Sequence, residues 1–175
     1  MTQISKPFNN CYWLSPKTIL AGEVPVASNA HYTDLKIQSL LDAGIRVFID
    51  LRKERNLEYE DVLKDVAQKR RVDIEYCRFP ILDMGVPSVS VVKEILDIID
   101  ESIKNGKPVY FHCLMGLGRT GLISGCWLAR HHQMVGKKVL ETLERTRREQ
   151  DHLVHYASPQ TDQQKQMVLD WEYGE

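Results

Sequence analysis

Pro108-Val109-Tyr110-Phe111-His112-Cys113-Leu114-Met115-Gly116-Leu117-Gly118-Arg119-Thr120-Gly121-Leu122 is the stretch from which the rest of the chain can be read. Pro108 to His112 is a short apolar run bounded by Gly106 and Pro108, the pattern of a buried strand. From Leu122 to His132 the residues suit a helix, so a Gly-broken turn joins a strand to a helix start. Five residues separate Cys113 from Arg119. A loop of that length can curl until several backbone N–H groups point at one spot, and Gly116 and Gly118 permit backbone angles closed to other residues. The helix N-terminus adds partial positive charge, and the Arg119 guanidinium can hold two oxygens bidentately. Leu114, Met115, Gly116, Leu117, Gly118 and Arg119 thus compose a phosphate-binding cradle.

The same positive surroundings favour a thiolate at Cys113, which would sit under a bound phosphorus. Attack would give a phosphocysteine, and water would hydrolyse it in a second step within the same cradle. The Thr120 hydroxyl can donate to the departing thiolate, and His112 is placed to fix the loop by hydrogen bonds rather than to act as a base. Read instead as a buried cysteine before a glycine-rich turn, the segment leaves Arg119 and the glycines unexplained. A nucleotide loop of the G-x-x-x-x-G-K-[ST] kind is absent.

Outward from this stretch the chain alternates strand and helix patterns. Ile45 to Asp50 is a second buried strand, Ile74 to Phe79 alternates and reads as half exposed, and Thr18 to Ala21 is a weaker candidate. Helical patterns cover Tyr32 to Ala43, Leu57 to Arg71, Ser88 to Lys104, Lys137 to Arg148 and Gln160 to Trp171. In the third of these, Val91, Val92, Ile95, Ile98, Ile99 and Ile103 form one apolar stripe for the core. The expected fold class is α/β, a mixed and largely parallel central sheet flanked by helices, with a helical cluster in the C-terminal third. Residues 1–175 read as a single domain, with no repeat or linker.

The 23 Lys and Arg residues nearly balance the 24 Asp and Glu residues, so any anion site must be built locally, and neither nucleic acid nor membrane is an expected partner. Met1 to Asn10 lacks the apolar core of a secretory signal, and the longest apolar stretch is too short to span a bilayer. A soluble cytoplasmic protein with reduced cysteines is the expectation. Cys11, Cys77, Cys113 and Cys126 form no C-x-x-C pair, and His131 and His132 have no metal-ligand partner at useful spacing, so no metal or cofactor is expected. Cys77 and Cys126 read as core residues.

His112 to Gly121 matches the H-C-x-x-G-x-x-R-[ST] signature of protein tyrosine phosphatases, and the short chain resembles their dual-specificity branch. Leu20 to Glu23, Phe79 to Ser88 and Ser158 to Gln164 are similar to segments of bacterial phosphatases of this type. The resemblance implies a metal-free, two-step phosphomonoester hydrolysis that acts on phosphotyrosine in a phosphorylated protein and, as its dual-specificity branch does, on phosphoserine and phosphothreonine. Small phosphomonoesters, lipids, sugars and RNA ends stand as other substrate classes.

The family places an acid aspartate on a loop upstream of the signature, and Asp83 fits, in a Gly/Pro-bearing segment after a strand. The alternative is that Asp83 only caps the following helix, for which Ser88 is the better candidate. Asp50 at a strand end and Glu54 in a charged run are weaker rivals. By the same likeness Gln164 would position the hydrolytic water, with Gln160 and Gln163 close enough to take its place. Arg52, Lys53 and Arg55 have two readings, a rim that attracts an anionic substrate or, as for Lys69-Arg70-Arg71 and Arg145-Arg147-Arg148, solvated charges, and the second is the expectation. Two other classes of function compete: a binding module that recognises phosphate without turnover, and sulfur transfer by a rhodanese-like loop.

Overall fold

The computed structural model describes residues 5–150 and 155–175. Five strands form one sheet: β1 (Cys11–Ser15), β2 (Ile19–Gly22), β3 (Val47–Arg52), β4 (Glu75–Ile81) and β5 (Val109–His112), in the order β1-β2-β5-β3-β4. β1 runs antiparallel to β2, and the β2–β5, β5–β3 and β3–β4 pairs are parallel, so the sheet is mixed and largely parallel. The helices are α1 (Ala30–Asp42), α2 (Glu60–Arg70), α3 (Val89–Lys104), α4 (Gly118–His131), α5 (Lys137–Arg148) and α6 (Asp162–Asp170).

Strand side chains alternate between two faces, and each face buries its own core. Ile19, Ala21, Val47, Ile49, Val109 and Phe111 pack with α3, α4, α5 and α6, whereas Leu20, Phe48 and Tyr110 pack with α1 and α2. The apolar stripe of α3 is responsible for its docking: Val92, Ile95, Leu96 and Ile99 are fully buried. Each contributes roughly 1.5–3 kcal/mol relative to exposure. Ser88 caps that helix, its hydroxyl accepting from the Val91 N–H at 3.3 Å, so Asp83 is not the cap.

The chain leaves β3 toward α2 on one face and leaves β5 toward α4 on the other. These neighbouring strands therefore open a crevice at their C-terminal ends, the place where parallel α/β sheets bind ligands. Cys113 follows β5 at that crevice.

Several expectations need correction. β1 has no counterpart among the expected strands, and β3 runs two residues beyond Asp50, which carries Arg52 into the sheet. Arg52 is fully buried rather than solvated, because Asp50 on the same strand face neutralises it. Arg147 is also buried, with its guanidinium 6.0 Å from the Tyr12 ring and donating to the Tyr156 carbonyl at 3.2 Å. Cys77 is only half-buried, since β4 is an edge strand, while Cys126 lies in the core as expected. Lys53, Arg55, Lys69 and Arg70 are exposed.

Candidate active site

The loop from Cys113 to Leu117 and the first turn of α4 are shaped by close backbone contact. Gly116 has φ +73°, and a Cβ there would stand 2.5 Å from the Gly22 carbonyl carbon, so only glycine fits. The Leu114 carbonyl accepts from the Val24 N–H at 3.1 Å, fastening the loop to the chain after β2. Among the described residues, no hydrogen-bond partner engages the backbone N–H groups from Leu114 to Thr120. That leaves seven successive donors leading into a helix, most of them on buried residues, and such groups cost energy when left unmet. Cys113 is buried at its base.

Arg119 is 2% exposed, and its guanidinium is oriented from three sides. Nη1 donates to Glu54 Oε2 at 2.7 Å and to the Ile81 carbonyl at 3.0 Å, and Nη2 donates to Asp83 Oδ1 at 3.0 Å. Nε is buried and has no partner among the described residues, which leaves one charged donor for an incoming group. Glu54, expected in a charged run to be a solvated face, is instead half-buried and paired with Arg119. Burial works to raise its pKa, but the Arg119 hydrogen bond and its own backbone N–H outweigh this, and the carboxyl is held below its ordinary value.

His112 stands between β5 and the loop and is fully buried. Its Nδ1 is 3.0 Å from the Cys113 carbonyl and its Nε2 is 2.6 Å from the Tyr59 hydroxyl. Burial lowers its pKa to about 4, against smaller opposing effects from Asp50 and the Cys113 carbonyl, so the ring is neutral at pH 7. A neutral ring donating from Nδ1 to the Cys113 carbonyl and accepting from Tyr59 braces the loop.

Beside His112, across β3, Asp50 accepts from the Arg52 backbone N–H and Nε at 2.9 Å and from Arg52 Nη2 at 2.8 Å. Arg52 in turn donates to the Asn56 and Leu57 carbonyls at 2.9 and 3.2 Å. This buried pair pins the loop that carries Glu54 to Arg119.

Thr120 is buried with its hydroxyl donating to the Gly22 carbonyl at 3.4 Å. Gln164 is also buried, whereas Gln163 is exposed and Gln160 half-buried. The structure thus gathers Cys113, Arg119, Asp83 and Glu54 around one cradle. Glu54 was the residue that its charged surroundings in sequence concealed.

A family model described as "Polymorphic toxin system, DSP-PTPase phosphatase" matches residues 22–133. The chain belongs to this dual-specificity-type family of the protein tyrosine phosphatase superfamily. Residues of the chain are 28% identical over 131 positions to the tyrosine-protein phosphatase CDC14 homolog of Schizosaccharomyces pombe, covering 73% of this chain and 24% of that protein. They are 41% identical over 61 positions to dual specificity protein phosphatase CDC14B of Mus musculus, covering 35% of this chain and 12% of that one. The chain spans less than half the length of the curated relatives it matches. A crystal structure of Tk-PTP in its active form shares the fold with TM-score 0.69 at 22% identity, over 91% of this chain and 93% of that one.

Proposed function

We propose that the chain hydrolyses phosphomonoesters through a phosphocysteine on Cys113, with phosphotyrosine in protein as the preferred substrate. The observation that supports this most is the cradle itself: unengaged N–H groups from Leu114 to Thr120 and a free Arg119 Nε, with the Cys113 thiol at the base. Cys113 Sγ attacks phosphorus, the bond to the leaving oxygen breaks, and Asp83 supplies the proton that oxygen takes up. Water then attacks the phosphocysteine, giving its proton to the Asp83 carboxylate as the sulfur–phosphorus bond breaks. The Thr120 hydroxyl would turn from the Gly22 carbonyl toward the departing thiolate. N–H donors and Arg119 stabilise the charge on the equatorial oxygens in both steps.

Phosphoryl oxygens bound to Arg119 would take the place of Asp83 on Nη2 and release its carboxyl toward the leaving group. Around the opening, Leu82 (59% exposed), Met84 (48%) and Met115 (49%) present apolar side chains, and the cradle loop carries no lysine. An apolar rim of this kind favours an aryl leaving group over a polyanionic one. The reaction needs Cys113 reduced and so fits a reducing compartment such as the cytoplasm.

One observation favours a second reading, recognition of phosphorylated partners without turnover: Asp83 is engaged by Arg119 rather than standing free. Hydrolysis of p-nitrophenyl phosphate by wild type and Cys113→Ser, with chelator present and vanadate as inhibitor, separates the two. Turnover lost in the serine variant supports the enzyme; no turnover by folded, reduced wild type, with retained phosphopeptide binding, supports the module.

A further inference from the structure

Asp83 sits at the tip of a tight turn. The Leu82 carbonyl accepts from the Gly85 N–H at 3.0 Å, and Met84 closes the turn at φ +58°. On its far side the Gly85 carbonyl accepts from Gln164 Nε2 at 3.0 Å. The other half of the same amide, Oε1, accepts from the Gln160 and Thr161 N–H groups at 3.1 and 3.2 Å, while the Gln164 N–H donates to Thr161 Oγ1 at 3.1 Å. This reciprocal pair caps the start of α6, and with a carbonyl on one side and two N–H groups on the other the orientation of the amide is fixed.

The cap lies against the cradle as well. A Cβ on Gly118, the first residue of α4, would stand 3.1 Å from Gln164 Oε1 and 2.6 Å from Gln160 Oε1. Gln164 therefore touches the beginning of the cradle helix, the beginning of α6 and the segment that carries Asp83, from a fully buried side chain.

From this junction we infer that Gln164 is a positioning residue for the Asp83 turn, holding it in register with the cradle through the Gly85 carbonyl. The inference rests on the reading of Asp83 as the acid. It differs from the role in ordering the hydrolytic water that the family resemblance implies, and the two roles act on different steps. A tether to the acid turn matters for expelling the leaving group, so its loss falls on substrates that need a proton. Ordering of water matters for hydrolysis of the phosphocysteine, so its loss makes that intermediate accumulate whatever the leaving group.

Gln164→Glu isolates the tether. A glutamate keeps the acceptor for the Thr161 N–H and hence the cap, but above the pH at which its buried carboxyl ionises it presents an acceptor where the Gly85 carbonyl needs a donor, so the measurements are made on the alkaline side of neutrality. The expected result is a lowered unfolding temperature, since the new carboxylate is buried against a carbonyl, with faster amide exchange centred on Leu82 through Val86. Turnover of phenyl or alkyl phosphates should fall about fivefold, the equivalent of one ordinary hydrogen bond, with little change for p-nitrophenyl phosphate and no burst of released phenol. Gln164→Met, which removes the tether without adding charge, should show the same dependence on leaving group.

Unchanged exchange at Leu82 to Val86, or equal losses on all substrates accompanied by a burst, would overturn the inference. Failure of the underlying reading looks different: Asp83→Ala would then lose no more activity on poor leaving groups than on good ones, while the exchange measurement would still decide whether Gln164 tethers the turn.

Discussion

Replacing Arg52 by methionine should be among the most damaging single changes outside the cradle. The Asp50 and Arg52 side chains are 0% and 1% exposed, and three of the four hydrogen bonds to the Asp50 carboxylate come from Arg52, two of them from its guanidinium. Without the guanidinium the carboxylate stays buried with the Arg52 N–H and the Tyr76 hydroxyl as its remaining partners. Stranding one member of a buried pair costs about 3–5 kcal/mol. For a chain of this size that lowers the unfolding temperature by roughly 10 °C. Burial works to raise the Asp50 pKa, but the bonds from Arg52 win and hold it below the ordinary value.

The pair's contribution is therefore complete above the unfolded carboxyl pKa of about 3.9 and lost as pH falls through the lower folded value. The gap between wild type and Arg52→Met should be widest at neutral pH and narrow in acid. Replacing both partners, Asp50→Leu with Arg52→Met, should recover most of the stability, because neither charge is then stranded. Affinity for vanadate should stay modestly weakened in the double variant, since the Asn56 and Leu57 carbonyls then lose the Arg52 guanidinium and the loop that carries Glu54 to Arg119 is left to Arg78, which donates to the Glu54 carbonyl at 2.6 Å, and to the Lys53 N–H on the Ile81 carbonyl. Thermal unfolding across pH and vanadate inhibition measure both. A single variant that loses less than about 1 kcal/mol, or no more than the double, would refute the reasoning.

Three further outcomes are expected. Folded His112 binds its proton only near pH 4, below the unfolded value of about 6.5, so the unfolded chain holds more protons between these values. Stability should therefore fall by about 3 kcal/mol as pH drops through that window, and His112→Asn should flatten this part of a denaturant-unfolding profile. Gly116→Ala combines a left-handed backbone with a methyl driven into the Gly22 carbonyl; a loss of about 2–4 kcal/mol in thermal unfolding and at least ~10-fold weaker vanadate inhibition should result. Asp83→Ala should reduce turnover of poor leaving groups by roughly 100-fold or more while largely sparing p-nitrophenyl phosphate, as measured by kcat/KM over a leaving-group series.

The cradle was legible because its chemistry is local. A strand, five residues and a helix start determine where the N–H groups point, and Gly116 and Gly118 mark the two places where backbone presses on a neighbour. Glu54 was not, since it meets Arg119 across 65 positions of sequence through a loop whose course depends on Arg52. Arg52 itself carried a readable signal: Asp50 and Arg52 are two apart on a strand and so share a face, which allows the charges to cancel in a buried site. Treating the run as a charged turn hid that pairing. β1 escaped notice because Cys11-Tyr12-Trp13-Leu14 is apolar on both faces and lacks alternation, although aromatic residues and the flanking Asn10 and Pro16 favour a strand. For Gln164 the position at N3 after Thr161 signalled a cap, while its bond to Gly85 joins segments that only the tertiary fold brings together.

Trapping the covalent intermediate tests the central claim most directly. Wild type and Cys113→Ser would be mixed with radiolabelled phosphotyrosyl peptide, quenched within milliseconds, digested and analysed by mass spectrometry. The account predicts one phosphoryl group on the wild-type peptide containing Cys113, thiol-linked and released by iodine, and none on the serine variant. Rapid peptide hydrolysis with label on another residue, or on none, would contradict it.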